Sequence, residues 1–131
     1  MAIIADITVK KADGTTNITY VAVQGAAGDA NPARWRSDTA NPVRAFRDTL
    51  SMVAKPNGPA TARRVNVTYS GPVVRTVNSV DTLVGTIPGE LSILIPNNLT
   101  DTEVAEKVEQ YLNLLASPAV RSAIKAGFAP T

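Results

Sequence analysis

The apolar residues of this chain change their spacing at residue 100, and that change limits what it can fold into. Upstream, apolar and polar residues alternate in short runs. Ile18, Tyr20 and Val23 mark one, Val65, Val67 and Tyr69 another, and Leu91, Ile93 and Ile95 a third. A period of two belongs to strands with one buried face. Downstream, Val104, Val108, Tyr111, Leu112 and Leu115 recur at helical spacing, as do Val120 and Ile124 after Ser117-Pro118. Thr100 and Glu103 form a capping box at the start of the first helix. Pro118 suits the first position of the second, with Ser117 as its cap, and Gly127 its stop. About seven strands are predicted, over 3–10, 17–23, 34–38, 43–55, 62–70, 73–77 and 84–95. Turns are expected at Asp13-Gly14, at Asn41-Pro42, across 56–59 and at Asn78-Ser79, with Gly71-Pro72 interrupting. Pro88 points to an edge, a bulge or a slot that needs no ladder donor.

Strands followed by helices make an α+β fold, an antiparallel sheet with two C-terminal helices appended. Helices of roughly 16 and 9 residues cannot cover a wide sheet. A symmetric dimer in which each chain covers the other's sheet solves that problem. Its interface would be the helical stripe of Val104, Val108, Tyr111, Leu112, Leu115, Val120 and Ile124.

The 131 residues fit one domain, and none is Cys or His. That excludes disulfides, thiolate nucleophiles, zinc–thiolate sites, imidazole bases and Ser-His-Asp triads. No phosphate-loop, dinucleotide-binding or nucleophile-elbow motif is present, so the chain is expected not to be an enzyme, with no cofactor and no metal. Glu103, Glu106 and Glu109 read as a solvated helix face. No apolar run reaches the roughly 18–20 residues of a membrane helix. The first residues show no basic, apolar secretory leader.

A net charge of +2 hides an uneven distribution. Residues 33–75 carry eight cations, seven of them Arg, against Asp38 and Asp48, a local charge of +6. Each remaining stretch is slightly negative. The planar Arg fork suits phosphate, so an anionic polymer is the first partner to consider. Surface Arg–Asp pairing is the plain alternative. Within this segment Arg47, Thr49 and Ser51 follow a spacing of two, as do Arg64, Asn66 and Thr68. Paired as a hairpin, the two strands would put these six side chains on one face, Arg for phosphates and the short polar residues for unpaired base edges. An ordinary solvated sheet face is the competing reading. Asp48, between Phe46 and Leu50, would face inward and need a partner such as Arg44 or Arg63.

Four stretches in order carry a family resemblance: Ala33-Arg34-Trp35-Arg36-Ser37, the run 45–51, the run 89–95, and 100–118 with its Leu114-Leu115-Ala116-Ser117-Pro118 junction. Collinear over essentially the whole length, they resemble the coat proteins of small single-stranded RNA bacteriophages, the levivirus-like family. The resemblance implies an N-terminal hairpin (1–24), a five-stranded antiparallel main sheet (33–96) and two dimerisation helices (100–128) in a single 1–131 domain. It further implies an intertwined homodimer with a ten-stranded sheet, a T=3-like icosahedral shell around genomic single-stranded RNA, and a location in the virion after assembly in the bacterial cytoplasm. It implies a dimer that binds an RNA hairpin as translational repressor, with Arg47 and Arg64 on phosphate and Thr49, Ser51, Asn66 and Thr68 lining base pockets. The loop about 77–83, which in the family lines symmetry axes, is short here. A dimeric non-viral RNA-binding regulator is the alternative.

Overall fold

The computed structural model describes residues 3–37 and 43–131, with Arg44 as backbone only. The expected break at Asn41-Pro42, the Asp38 carboxylate and the Arg44 side chain lie outside what it describes. The chain forms two compact units, Met1–Leu94 and Ile95–Thr131.

The first unit is built on one six-stranded meander: β1 (Ile7–Lys10), β2 (Asn17–Gln24), β3 (Ala33–Ser37), β4 (Thr49–Pro56), β5 (Ala62–Val77) and β6 (Val80–Pro96), in that spatial order. Each of the first four junctions is antiparallel. The N-terminal hairpin is therefore continuous with the main sheet, and the sheet has six strands where five were expected. The α+β class stands. The second unit holds α1 (Asp101–Leu115) and α2 (Pro118–Ala126).

Two expectations about strands are corrected. The alternation read over 43–55 begins as a single 3-10 turn, Arg44–Phe46, and strand geometry starts only at Thr49. Hydrophobic spacing over three or four residues does not separate a helical turn from a strand. Gly71-Pro72 does not interrupt: 62–70 and 73–77 are one 16-residue strand. The last β4 partner on β5 is Ser70, so the missing Pro72 donor breaks no β4 ladder bond. Gly71 is needed for room, since a Cβ there would lie 2.6 Å from the Tyr69 phenol oxygen.

Turn chemistry fixes the hairpins. Between β1 and β2, Asp13 Oδ1 accepts the Thr15 and Thr16 amides at 2.9 and 2.8 Å. These bonds, with the Thr16 hydroxyl foremost, lower the Asp13 carboxyl to about 2. Between β4 and β5, Asn57 Oδ1 accepts the Thr61 amide at 2.9 Å and the Ala62 amide at 3.2 Å. Between β5 and β6 only Asn78 and Ser79 intervene, at φ 52° and 64°, the pattern of a type I′ turn, whose twist matches its strands.

In the second unit the capping box is present. The Glu103 amide donates to the Thr100 hydroxyl at 3.3 Å, and the Thr100 amide donates to Glu103 Oε1 at 3.0 Å. The Thr100 amide and then the Thr100 hydroxyl, which donates to the same Oε1 at 2.9 Å, hold the Glu103 carboxyl below its usual range. Ser117 stands at the cap of α2, but its hydroxyl donates back to the Leu114 carbonyl at 2.7 Å. Gly127 ends α2 at φ 79°.

Two outcomes follow from the turns. Ser79→Gly removes a left-handed side chain at an entropic cost smaller than the relief, so thermal unfolding should show a gain of about 0.5–1 kcal/mol. The Asp13 carboxyl sits lower folded than unfolded, so its contribution is complete above the ordinary value of 3.8 and is lost as pH falls towards about 2. Proton NMR of the Thr15 and Thr16 amides should titrate with a midpoint near the lower value; a midpoint near the ordinary value would contradict the turn.

Candidate nucleic-acid interface

Strand alternation gives the sheet two chemically different faces, and the registers decide which residue lies on which. Across β3, β4 and β5 one set of opposed residues runs Trp35–Leu50–Tyr69, with Ala22 opposite Trp35 on β2. Trp35 is 9% exposed, and its indole nitrogen donates to the Ala5 carbonyl at 2.8 Å. This is the apolar face.

Asp48 enters that face between two phenols. Tyr20 and Tyr69 donate to its Oδ2 at 3.2 and 3.3 Å. Of the two partners expected for Asp48, Arg63 instead pairs with Asp29, the Arg44 side chain lies outside the described residues, and two hydroxyls donate to the carboxylate. Burial first, then the neighbouring Tyr69 phenol and the Asp48 charge, push Tyr20 well above the usual tyrosine range. Burial likewise raises Tyr69. Both phenols therefore stay protonated and can donate.

The opposite face is polar. Ser51 lies opposite Thr68, Thr49 opposite Ser70, Val53 opposite Asn66, and Lys55 opposite Arg64. Five of the six residues singled out from the sequence thus share one face: Thr49, Ser51, Arg64, Asn66 and Thr68. The Arg64 guanidinium donates to the Ser92 hydroxyl at 2.9 Å, which extends the face to β6. Arg47 is different. It lies in the bend between the 3-10 turn and β4, half-buried and outside the ladder, so alternation does not assign it to this face.

The register adds two residues that the sequence reading passed over. Arg34 lies opposite Ser51, and Arg36 opposite Thr49. The signal was available: Trp35 between them must face the core, so both Arg must point the other way. The hydroxyl cluster is therefore flanked by arginines on β3 and by Lys55 and Arg64 at the turn end of the β4–β5 hairpin.

On the helices, the stripe residues Val104, Val108, Leu115 and Val120 are half-buried, whereas Tyr111, Leu112 and Ile124 are exposed. No residue of either helix is buried. Among the described residues, no three His, Cys, Asp or Glu side chains come together as a metal site. No helix among them is long and apolar enough to cross a membrane.

No family model matches the sequence, and no curated protein matches it. Solved structures do. The virus-like particle subunit of Beihai levi-like virus 21 superposes with a TM-score of 0.81 at 21% identity, over 99% of this chain and 98% of that one. The virus-like particle of bacteriophage NT-214 gives 0.81 at 20% identity, over 99% and 100%. The capsid protein of bacteriophage GA gives 0.72 at 21% identity, over 95% of each chain. The chain has the fold of RNA-phage coat proteins, end to end.

Proposed function

We propose that this chain is the structural capsid protein of a single-stranded RNA phage. Two copies form a dimer, dimers close into a T=3-like icosahedral shell, and the polar sheet face holds genomic RNA inside it. The observation that carries the reading is the shared fold: virus-like particle subunits cover 99% of the chain with no large insertion on either side.

Burial supports the need for a second copy. Among the described apolar side chains only Trp35 and Ala62 count as buried, at 9% and 4% exposure. Leu114, Ile124 and Phe128 remain 64%, 66% and 80% exposed. Each such side chain forgoes roughly 1.5–3 kcal/mol of transfer free energy while it faces water. An apolar sheet face and a pair of amphipathic helices are complementary surfaces, and a symmetric dimer can pair them twice. The polar face, with Arg64, Asn66, Thr68, Thr49 and Ser51, supports RNA as the enclosed polymer: guanidinium for phosphate, hydroxyl and amide for base edges. Arg47 would add a phosphate contact from the bend beside β4. In this reading a dimer also binds an RNA hairpin on that face and represses translation. The protein acts as a scaffold and not as an enzyme, and it resides in the virion after assembly in the bacterial cytoplasm.

Expression of the chain alone in bacteria tests the shell. Size-exclusion chromatography with negative-stain microscopy should show uniform closed particles a few tens of nanometres across, with 260/280 nm absorbance that reports RNA. A dimer that stays a dimer with RNA present would favour a regulatory RNA-binding protein instead. On the RNA face, Arg47→Ala with Arg64→Ala should weaken RNA binding about tenfold or more, since charge-assisted bonds contribute roughly 1.5–3 kcal/mol each. Dimers, read by light scattering, should persist. Unchanged affinity would remove both residues from the interface.

A further inference from the structure

Resting on that reading, we propose that Arg34 and Arg36 on β3 form a phosphate-binding track beside the hydroxyl cluster, so that the RNA backbone crosses three strands of each sheet and not only the β4–β5 hairpin. Its ligand is the sugar–phosphate backbone of single-stranded RNA, bound without regard to base.

The first support is position. Arg34 opposes Ser51 and Arg36 opposes Thr49, and Ser51 and Thr49 in turn oppose Thr68 and Ser70. Opposed residues in an antiparallel pair have Cβ atoms roughly 4.5–5.5 Å apart on one face. A backbone whose bases reach the hydroxyl cluster therefore passes within reach of both guanidinium groups. Arg34 is exposed and Arg36 half-exposed. Two residues apart on one strand, they are spaced about 6.8 Å along it.

The second support is charge. On the polar face β3, β4 and β5 place Arg34, Arg36, Lys55 and Arg64, and these strands contain no Asp or Glu; by alternation Arg63 and Arg75 fall on the Tyr69 side. Arg63, on that other side, pairs with Asp29. No carboxylate among the described residues pairs with Arg34 or Arg36. Lys55 and Arg64 stand directly opposite each other, an arrangement that destabilises an isolated sheet. A solvated structural face would intersperse carboxylates to offset such repulsion. A face that brings four cations and no carboxylate from three adjacent strands is complementary to a polyanion. The guanidinium fork, two oxygens at a time, matches phosphate in particular.

Salt dependence tests the track, because each phosphate neutralised on a single strand contributes about 0.7 to the slope of log K against log salt. Binding of the full-length protein to fluorescent oligouridine and to a mixed-sequence RNA of equal length is titrated across sodium chloride concentrations. The double variant Arg34→Gln, Arg36→Gln should lower the slope by about 1.4 with both RNAs alike. Arg34→Lys with Arg36→Lys should restore most of it, which loss of packing alone would not explain. Should the double Gln variant fail to fold, Arg34→Gln alone, at the exposed position, should lower the slope by about 0.7. A wild-type protein that binds RNA, with Gln variants of unchanged slope, overturns the track alone. So does a change confined to one RNA sequence. A wild-type protein that binds neither RNA overturns the track and the RNA-enclosing function together.

Discussion

The pairing of β4 with β5 is the constraint on which the rest of the sheet depends. Leu50 against Tyr69 and Ser51 against Thr68 are neighbouring rungs of one ladder, and they face opposite ways. A slip of one residue would put the hydroxyls against the core and the apolar side chains towards the charged face. Two devices hold this register. The Asn57 side chain closes the hairpin at one end. Near the other end the Asp48 carboxylate gathers the Tyr20 and Tyr69 phenols, which ties β2 to β5 across the intervening strands. A half-buried carboxylate is costly unless it is hydrogen-bonded, and two phenol donors on one oxygen offset that cost. The opposite face carries Arg34, Arg36, Lys55 and Arg64.

The same two-sidedness leaves apolar side chains of a single chain exposed. A sheet with one apolar face must have that face covered, and an amphipathic helix must lay its stripe on something. Local geometry of the helices is complete: a capping box opens α1, and a left-handed glycine ends α2. Their burial is not, since neither helix has a buried residue. Hydrogen bonding within an element depends on its own residues, whereas burial depends on a partner surface. The disparity between finished helix ends and unfinished helix faces is what the proposed dimer would resolve.

Much of this was readable from residues close together in sequence. The capping box needs only Thr100 and Glu103. The two-residue turn needs only Asn78 and Ser79 between alternating runs. Helix spacing after residue 100 spans enough turns to be unambiguous. Errors arose where a local signal had two meanings. Three residues, 44–46, satisfy strand alternation and a 3-10 turn equally. Gly71-Pro72 resembles a break, yet here the glycine makes room for the Tyr69 ring and the proline lies past the last β4 partner. Candidate residues divide in the same way. Thr49, Ser51, Arg64, Asn66 and Thr68 were placed together by period and turn alone, whereas Arg47 depended on a strand that starts two residues later. The partners of Asp48 come from 28 residues upstream and 21 downstream, separations at which side-chain periodicity carries no information.

Opposed like charges, as at Lys55 and Arg64, weaken a sheet by a few tenths of a kcal/mol to about 1 kcal/mol per pair. That is a small fraction of the roughly 5–15 kcal/mol by which domains are stable, so the fold tolerates it when apolar burial on the other face is completed. The two faces are thereby coupled. In the proposed dimer, covering the apolar face with a second copy would supply the stability that lets the polar face remain unneutralised and open to a polyphosphate chain. Assembly and RNA binding need not be separate properties grafted onto one sheet. In the proposed capsid they are the two sides of a single alternation, fixed by the register that sets Ser51 opposite Thr68.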